Sequence, residues 1–312
     1  MTRYLPGLLL LASLLQPVAS QAQDIGVVLA GNRGLFWTAM AKGIDQAAAD
    51  LGVEVLARSP PDDDPATIAQ NMQLKIVRYM VESGVKGLII APMPLADMPT
   101  PVDLPVPVVF VDRSGDAFKA LSTIATDNYA AGRASAGTLR GVLPKGARIA
   151  VLRLAPYVVS TTAREAGFID AAHEMGFTIA LDTYLTHGIR EAESAAADVL
   201  APYRGHIAAV FTPTGKLTES LERVLDGWPP DQRPLLAGFD YEPNFETNLR
   251  DRSIYSIVVQ DAFQMGYQAV QQLIQFRAGT APEPDTKVDF IVVTSGNVDD
   301  PKIHTALGQY RD

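Results

Sequence analysis

Short apolar runs alternate with longer segments of helical periodicity along most of the chain. The first run, residues 25–30, is typical of a buried strand, and apolar positions in residues 36–51 then recur at helical spacing until Gly52. The same alternation continues to a last predicted strand at residues 290–293. Strands that alternate with helices of this length form parallel sheets covered by helices on both faces. The pattern therefore predicts the α/β fold class.

The predicted elements are numerous enough to fill two doubly wound parallel-sheet lobes, and the length of 312 residues agrees with two domains of roughly 150 residues each. The predicted strands are 25–30, 53–57, 85–91, 106–111, 121–126, 147–154, 177–182, 207–212, 235–240, 254–260 and 290–293. The predicted helices are 36–51, 65–82, 128–143, 161–175, 191–200, 217–225 and 263–276, with a short one near 244–249.

The connection between the third and fourth predicted strands is rich in proline. Residues 92–107 contain six prolines. Proline cannot continue a helix or a central strand, so the usual crossover helix should be short or missing here. A rigid loop is the expected structure.

The N-terminus has the pattern of a secretory signal peptide. Arg3 supplies a positive charge, residues 5–15 form a short apolar run, and Ser20 and Ala22 are small residues before a cleavage point near Gln23. The apolar run is too short to span a bilayer of roughly 30 Å, and no other stretch approaches about 20 uninterrupted apolar residues. We therefore expect residues 1–22 to be removed on export and the mature chain to be periplasmic and not membrane-embedded.

Composition excludes several classes of function. The formal net charge of −9 lacks the positive surface that nucleic acids require. The absence of cysteine excludes disulfides, cysteine-based zinc sites, iron–sulfur clusters, thiol nucleophiles and a lipid-anchored lipoprotein. The four histidines show no two-histidine metal spacing, and the chain has neither a phosphate-binding loop nor a Gly-x-Ser-x-Gly nucleophile motif. Binding without turnover, with no cofactor, no metal and no catalytic residue, is the prediction.

Polar and aromatic residues lie near the ends of predicted strands, where α/β sheets bind their ligands. Asp112 and Arg113 end the fourth strand. A carboxylate beside a guanidinium can accept from and donate to the hydroxyls of a sugar. The alternative is a structural ion pair between the two side chains. Phe36 and Trp37 follow the first strand and could stack on a sugar ring or hold a quaternary ammonium, or they belong to the core.

The second half of the chain offers a similar group. Phe239 and Asp240 end one strand, and Gln260 ends the next. Buried Asp and Gln side chains need hydrogen-bond partners, so their position at a cleft indicates polar ligand contacts. The alternative for Asp240 is to cap the short helix near 244–249.

Residues 24–294 resemble the periplasmic sugar-binding proteins of the ribose/galactose type, which share their fold with the effector domains of lac-type repressors. The matching short motifs are Gly43 with Leu51-Gly52, Val111-Asp112-Arg113, Thr126-Asp127-Asn128 with Gly132, Ala163-Arg164-Glu165 with Gly167-Phe168, Ala209-Val210-Phe211, Gly238-Phe239-Asp240, and Gln260 with Gly266. The resemblance depends on the order and spacing of these motifs rather than on any single one.

The resemblance implies two lobes joined by a hinge of three crossing strands, with the ligand clamped between them. The implied lobes are residues 24–126 plus 261–288 and residues 127–260 plus 289–312. The implied ligand contacts are Phe36, Trp37, Asp112, Arg113, Phe239, Asp240 and Gln260.

The chain departs from that family at four implied ligand positions. An Asn of the family falls at Gly34, its second Arg at Ala166, another Asn near Thr214, and an aromatic residue near His187. Thr214 and His187 therefore complete the candidate ligand-binding residues. Fewer amide and guanidinium donors make the usual pose of ribose doubtful.

Two membrane partners are compatible with this resemblance. The first is the permease of an ABC importer, to which the chain would deliver a sugar or polyol. The proline-rich crossover and the tail Val292-Val293-Thr294 with Asn297 also resemble a smaller branch of periplasmic receptors that report a ligand to a membrane sensor histidine kinase, such as the trimethylamine-oxide type or an autoinducer type. In that branch a Trp at the position of Trp37 belongs to the ligand pocket.

Overall fold

A computed structural model describes residues 24–31, 34–60, 66–94, 101–185 and 192–311. The predicted signal peptide and His187 lie outside the described residues. In chain order the elements are β1 (Ile25–Val28), α1 (Leu35–Leu51), β2 (Val55–Arg58), α2 (Ala66–Glu82), β3 (Leu88–Ile90), β4 (Val108–Val111), β5 (Ser122–Thr126), α3 (Asn128–Gly137), β6 (Arg148–Arg153), α4 (Val159–Glu174), β7 (Thr178–Tyr184), α5 (Ala192–Leu200), β8 (Ala209–Phe211), α6 (Gly215–Asp226), β9 (Leu235–Phe239), α7 (Phe245–Asp251), β10 (Ser256–Gln260), α8 (Ala262–Arg277), β11 (Asp285–Val288), β12 (Phe290–Thr294) and α9 (Pro301–Leu307).

These strands form two six-stranded sheets. The first has the order β11-β5-β4-β3-β1-β2 and is parallel throughout. The second has the order β12-β10-β9-β8-β6-β7, and only β12 runs antiparallel to its neighbour. We call the first sheet with α1, α2 and α8 the first lobe, and the second sheet with the remaining helices the second lobe. The predicted fold of two doubly wound lobes is confirmed.

The chain passes between the two sheets three times. It leaves the first sheet after β5, returns after β10 to form α8 and β11, and leaves again between β11 and β12. These three passages form the hinge of the molecule. The third passage is the shortest, since Asp289 alone separates β11 from β12.

Apolar strands and close helix pairs build the interior of each lobe. Every residue of β1 and β4 is buried, as expected for parallel strands with helices on both faces. In the second lobe, α3 and α4 approach so closely at Gly132 that a methyl group added there would lie 1.9 Å from the carbonyl oxygen of Arg164. In the first lobe, a methyl group added to Gly43 of α1 would lie 2.0 Å from the carbonyl oxygen of Phe263 in α8. Glycine at these positions is required by backbone-to-backbone contact.

The structure differs from the predicted elements in three places. The helix predicted at 128–143 ends at Gly137, because the following residues form tight turns and Gly141 adopts a left-handed φ of 75°. The edge strand β11 was not predicted, because its sequence, Asp-Thr-Lys-Val, is mostly polar and it pairs with β5 alone. The terminal helix α9 was also not predicted.

The proline-rich connection has no helix in its described parts, residues 91–94 and 101–107. A single bridge between Val102 and Phe118 is its only β-pairing within those parts. Across the described portion of the chain, every helix is too short or too polar to cross a membrane.

Candidate functional site

Two aspartates occupy equivalent places in the two lobes, directly after β4 and β9. Asp112 has φ 66° and Asp240 has φ 61°, and Arg252 is the only other described non-glycine residue with positive φ. The Asp112 N–H donates to Ile124 in β5 at 3.0 Å, and the Asp240 N–H donates to Val258 in β10 at 2.7 Å. Left-handed backbone is sparsely populated by residues other than glycine, and such residues cluster at functional sites. This repeated geometry marks the ends of β4 and β9 as candidate site positions in both lobes.

In the first lobe the four predicted residues form one continuous group. The Arg113 Nε donates to the Asp112 carboxylate at 2.6 Å, and the Arg113 guanidinium lies 5.9 Å from the centre of the Trp37 ring. Trp37 meets Phe36 edge to face at 4.9 Å. Asp112 is buried, whereas Arg113, Trp37 and Phe36 remain partly exposed and can contact a ligand. The ion pair that was the alternative interpretation is present, and it holds the guanidinium in place.

In the second lobe Asp240 and Gln260 are joined directly. The Gln260 Nε2 donates to Asp240 Oδ1 at 2.7 Å, and the Gly215 N–H donates to Asp240 Oδ2 at 3.4 Å. Asp240 does not cap the short helix α7, which begins after Asn244. The capping alternative is therefore wrong. The Gln260 Oε1 is buried and has no hydrogen-bond partner among the described residues.

Arg164 of α4 is a site residue that the sequence interpretation did not single out. Its guanidinium donates to Asn128 Oδ1 at 2.7 Å and to the Pro213 carbonyl at 2.8 Å. It lies 3.8 Å from the Asp240 carboxylate and 4.1 Å from the centre of the buried Phe239 ring. Arg164 is only 2% exposed, and its contacts place it against Asp240 and Phe239.

The charged groups of the two lobes lie close enough to influence one another. Burial raises the pKa of Asp240, the Arg164 guanidinium opposes that rise, and the Asp112 carboxylate of the other lobe adds to it. Burial also lowers the pKa of Arg164, which Asp240 and Asp112 oppose. Asp112 and Asp240 are thus near enough, one in each lobe, for their charges to interact.

Thr126 is a second residue missed from the sequence, and the internal repeat reveals it. The Ile124 carbonyl accepts from the Asp112 N–H, and the Val258 carbonyl accepts from the Asp240 N–H. Each of these strands ends two residues later, so Thr126 in β5 corresponds to Gln260 in β10. The Thr126 hydroxyl is buried and, like Gln260 Oε1, has no described partner. Its place at the end of a predicted strand, like that of Gln260, is the signal that the sequence offers.

Thr214 lies next to this group but its side chain has a structural role. It caps α6 by accepting the Leu217 N–H at 3.4 Å, while Gly215 beside it contacts Asp240. The structure therefore joins the first-lobe residues Phe36, Trp37, Asp112 and Arg113 into one group. It places Phe239, Asp240, Gln260 and Thr214 in a second group, in which Phe239 is fully buried. No group of three or more metal-ligating His, Asp or Glu side chains occurs within the described ranges.

A second charged cluster lies at the ends of β6 and β7. Arg153 forms a two-point ion pair with Asp182 and lies 5.3 Å from the centre of the Tyr184 ring. Glu165 is fully buried; one carboxylate oxygen accepts the Leu154 N–H at 3.2 Å, and the other lies 3.6 Å from Arg153 without a hydrogen bond. Burial raises the pKa of Glu165 to about 7.

Glu165→Gln should reduce the pH dependence of stability between pH 5 and 8. A carboxyl whose folded-state pKa is raised binds its proton more tightly when folded, so the wild type loses stability as the pH rises through 7. The shift from 4.5 to about 7 corresponds to roughly 3 kcal/mol in full, most of which is lost between pH 5 and 8. Thermal melting at both pH values measures this difference. Glu174→Gln in the same helix is the control, because Arg133 lowers the pKa of that exposed carboxyl, so it stays ionised between pH 5 and 8. An equal effect of both variants would show that Glu165 is not the source of the pH dependence.

Comparison with known proteins agrees with this architecture. The model of the periplasmic binding protein domain matches residues 25–281. The ribose import binding protein RbsB of Bacillus subtilis is 25% identical over 256 residues, covering 79% of each chain. A solved periplasmic component of an ABC-type sugar transport system from Hahella chejuensis is 28% identical, with a TM-score of 0.75 over 87% of this chain and 99% of that one.

A second solved structure agrees in fold at lower identity. A carbohydrate transporter solute-binding protein from Agrobacterium radiobacter, in complex with D-arabinose, is 22% identical and has a TM-score of 0.79 over 92% of this chain and 99% of that one. The match of the domain model extends over most of the described residues and includes both halves of the site. The chain belongs to the periplasmic binding protein family.

Proposed function

We propose that this chain binds a small neutral polar solute, a sugar or polyol, between its two lobes and delivers it to an ABC importer without chemical change. The buried Gln260 Oε1 carries the proposal. A buried acceptor without a donor costs roughly 1–3 kcal/mol, and a ligand hydroxyl between the lobes would supply the missing donor. The unpartnered Thr126 hydroxyl supports a second such contact.

The charge balance of the site favours a neutral ligand. Asp112 is matched by Arg113 and Asp240 by Arg164, so neither lobe offers an unbalanced charge to an ion. Carboxylates and a guanidinium held in this way bind hydroxyl groups, which both donate and accept hydrogen bonds. Trp37 and Phe36 provide an apolar surface suited to the C–H face of a sugar ring.

We also propose the bounds of the two lobes and a periplasmic location for the protein. Residues 24–126 plus 261–288 and residues 127–260 plus 289–312 would move as the two lobes, and the three passages between the sheets support these bounds. Export by residues 1–22 would place the mature chain in the periplasm, where the family acts. N-terminal sequencing of the exported protein should then begin near Gln23.

A thermal-shift screen tests the proposed ligand class. We expect at least one aldose, ketose or polyol to raise the melting temperature, because a ligand at 100 times its Kd adds about 2.7 kcal/mol to stability. D-Ribose and D-arabinose, bound by the relatives named above, are the first probes. Trimethylamine N-oxide and nucleosides are the contrasting set. Stabilisation by that set alone would contradict the sugar assignment. Stabilisation by trimethylamine N-oxide in particular would favour the receptor that reports to a sensor kinase.

A further inference from the structure

The end of the chain makes an additional connection between the lobes. After β12 and α9, residues 308–311 form a tight turn and a final extended residue, which we call the C-terminal strap. Its turn, Gly308–Tyr310, packs against α1 of the other lobe. The strap lies beyond residue 281, where the match to the family domain ends.

Two hydrogen bonds join the strap to the first lobe. Lys42 Nζ of α1 donates to the Arg311 carbonyl at 3.0 Å. The Phe263 N–H of α8 donates to Gln309 Oε1 at 2.9 Å. The N–H groups of the first helical turn have no partner within the helix, so Gln309 satisfies a donor that would otherwise need another acceptor.

The same strap is also fixed to the second lobe. Arg311 donates to Glu246 of α7 at 2.6 Å, and Glu246 also accepts the Tyr241 hydroxyl at 2.7 Å. The buried Tyr310 ring stacks on Tyr241 at 5.7 Å. The Tyr310 hydroxyl donates to the Gln260 carbonyl at 2.7 Å. The strap is thus fixed at the end of β10, where the chain passes from the second lobe to the first.

We infer that the C-terminal strap restrains the opening of the two lobes and thereby sets how readily the ligand site closes. A rotation that separates α1 from α7 about the hinge must break the strap's bonds to one of them. A net hydrogen bond of about 0.5–1.5 kcal/mol changes the ratio of open to closed molecules by roughly two- to tenfold. The apparent affinity for a ligand of the closed form changes by the same factor when that form is the minor one.

The strap also lies directly behind the candidate site. Tyr310 holds the backbone of Gln260, whose side chain bonds Asp240. Tyr241, on which Tyr310 stacks, follows Asp240 in the sequence. Loosening the strap therefore acts on two predicted ligand contacts as well as on the angle between the lobes. This inference uses the proposed binding between the lobes, but the restraint itself is measurable without ligand.

Spin labels on the ligand-free protein test the restraint directly. The chain contains no cysteine, so Asp116→Cys and Tyr157→Cys introduce unique labelling sites on exposed loops, one in each lobe. The double variant Lys42→Ala/Gln309→Ala removes the two hydrogen bonds of the strap to the first lobe. Arg311→Ala removes its ion pair with Glu246 of the second lobe. Both should shift the distance distribution measured by pulsed electron spin resonance to longer values and broaden it. Arg311→Lys should restore part of the original distribution.

Arg250→Ala is the matched control. Arg250 also pairs with Glu246 and with Asp299, but all three residues belong to the second lobe, so its loss should leave the distribution unchanged. Strap variants that melt earlier yet keep the wild-type distance distribution would overturn the inference, because the strap would then be a stabilising contact only. A failed sugar screen would contradict the proposed ligand class and leave this measurement interpretable.

Discussion

Removal of the Asp112 side chain should weaken ligand binding by about a hundredfold or more while both lobes stay folded. Asp112 holds the Arg113 guanidinium at 2.6 Å and supplies the acceptor of the first lobe. Truncating one member of a buried hydrogen-bonded charge pair at a binding interface costs about 2–5 kcal/mol, much of it from the stranded partner. Both the ligand and Arg113 lose their acceptor in this variant.

The choice of substitution matters because Asp112 has φ 66°. Alanine is strained in this backbone conformation, whereas glycine is not. Asp112→Gly therefore removes the carboxylate without backbone strain, and Asp112→Ala should show the same loss of affinity with an added loss of stability. Titration calorimetry with the sugar found in the screen measures both variants. Asp116→Ala, an exposed aspartate in the same loop, is the control. Wild-type affinity in Asp112→Gly would remove Asp112 from the site.

Gly132→Ala should lower the stability of the second lobe by about 1–3 kcal/mol. The added methyl group would lie 1.9 Å from the Arg164 carbonyl oxygen, so α3 and α4 must separate. The same residue, Arg164, supports Asp240, which means that the variant should also weaken ligand binding. A shift of several degrees in melting temperature is the expected readout.

Gly137 in the same helix provides the matched comparison. A methyl group added there meets no atom within 4 Å, and alanine favours helix over glycine by up to about 1 kcal/mol. Gly137→Ala should therefore leave the melting temperature unchanged or raise it. Equal destabilisation by the two substitutions would show that the close contact of Gly132 with α4 is not the cause of the loss.

The fold could be predicted from sequence because its strands are buried on both faces. Parallel strands between two layers of helices consist of apolar runs, such as Ile-Gly-Val-Val in β1, and these are visible without alignment. The edge strand β11 has no such run, since it pairs on one side only and three of its four residues are polar. The contacts of the C-terminal strap could not be predicted from the sequence either, because they join residues far apart in sequence, such as Lys42 and Arg311.

Part of the candidate site could be predicted because several of its residues lie at the ends of apolar strands. Asp112, Asp240 and Gln260 follow or end apolar strands, so the strand pattern locates them at the carboxyl edges of the sheets. Arg164 lies inside a helix pattern, and only its contacts with Asn128, Pro213 and Asp240 show its role. Thr126 emerged from the equivalence of the two lobes, which depends on hydrogen bonds between strands. His187 stays a prediction, as it lies outside the described residues.

A crystal structure of the protein with the sugar that stabilises it most is the most direct test of a site shared by both lobes. We expect one bound molecule between the sheets. Its hydroxyl groups should lie within hydrogen-bond distance of Asp112 or Arg113 on one side and of Asp240 or Gln260 Oε1 on the other. A ligand that contacts one lobe only, or that binds elsewhere while Gln260 Oε1 stays without a donor, would contradict this expectation.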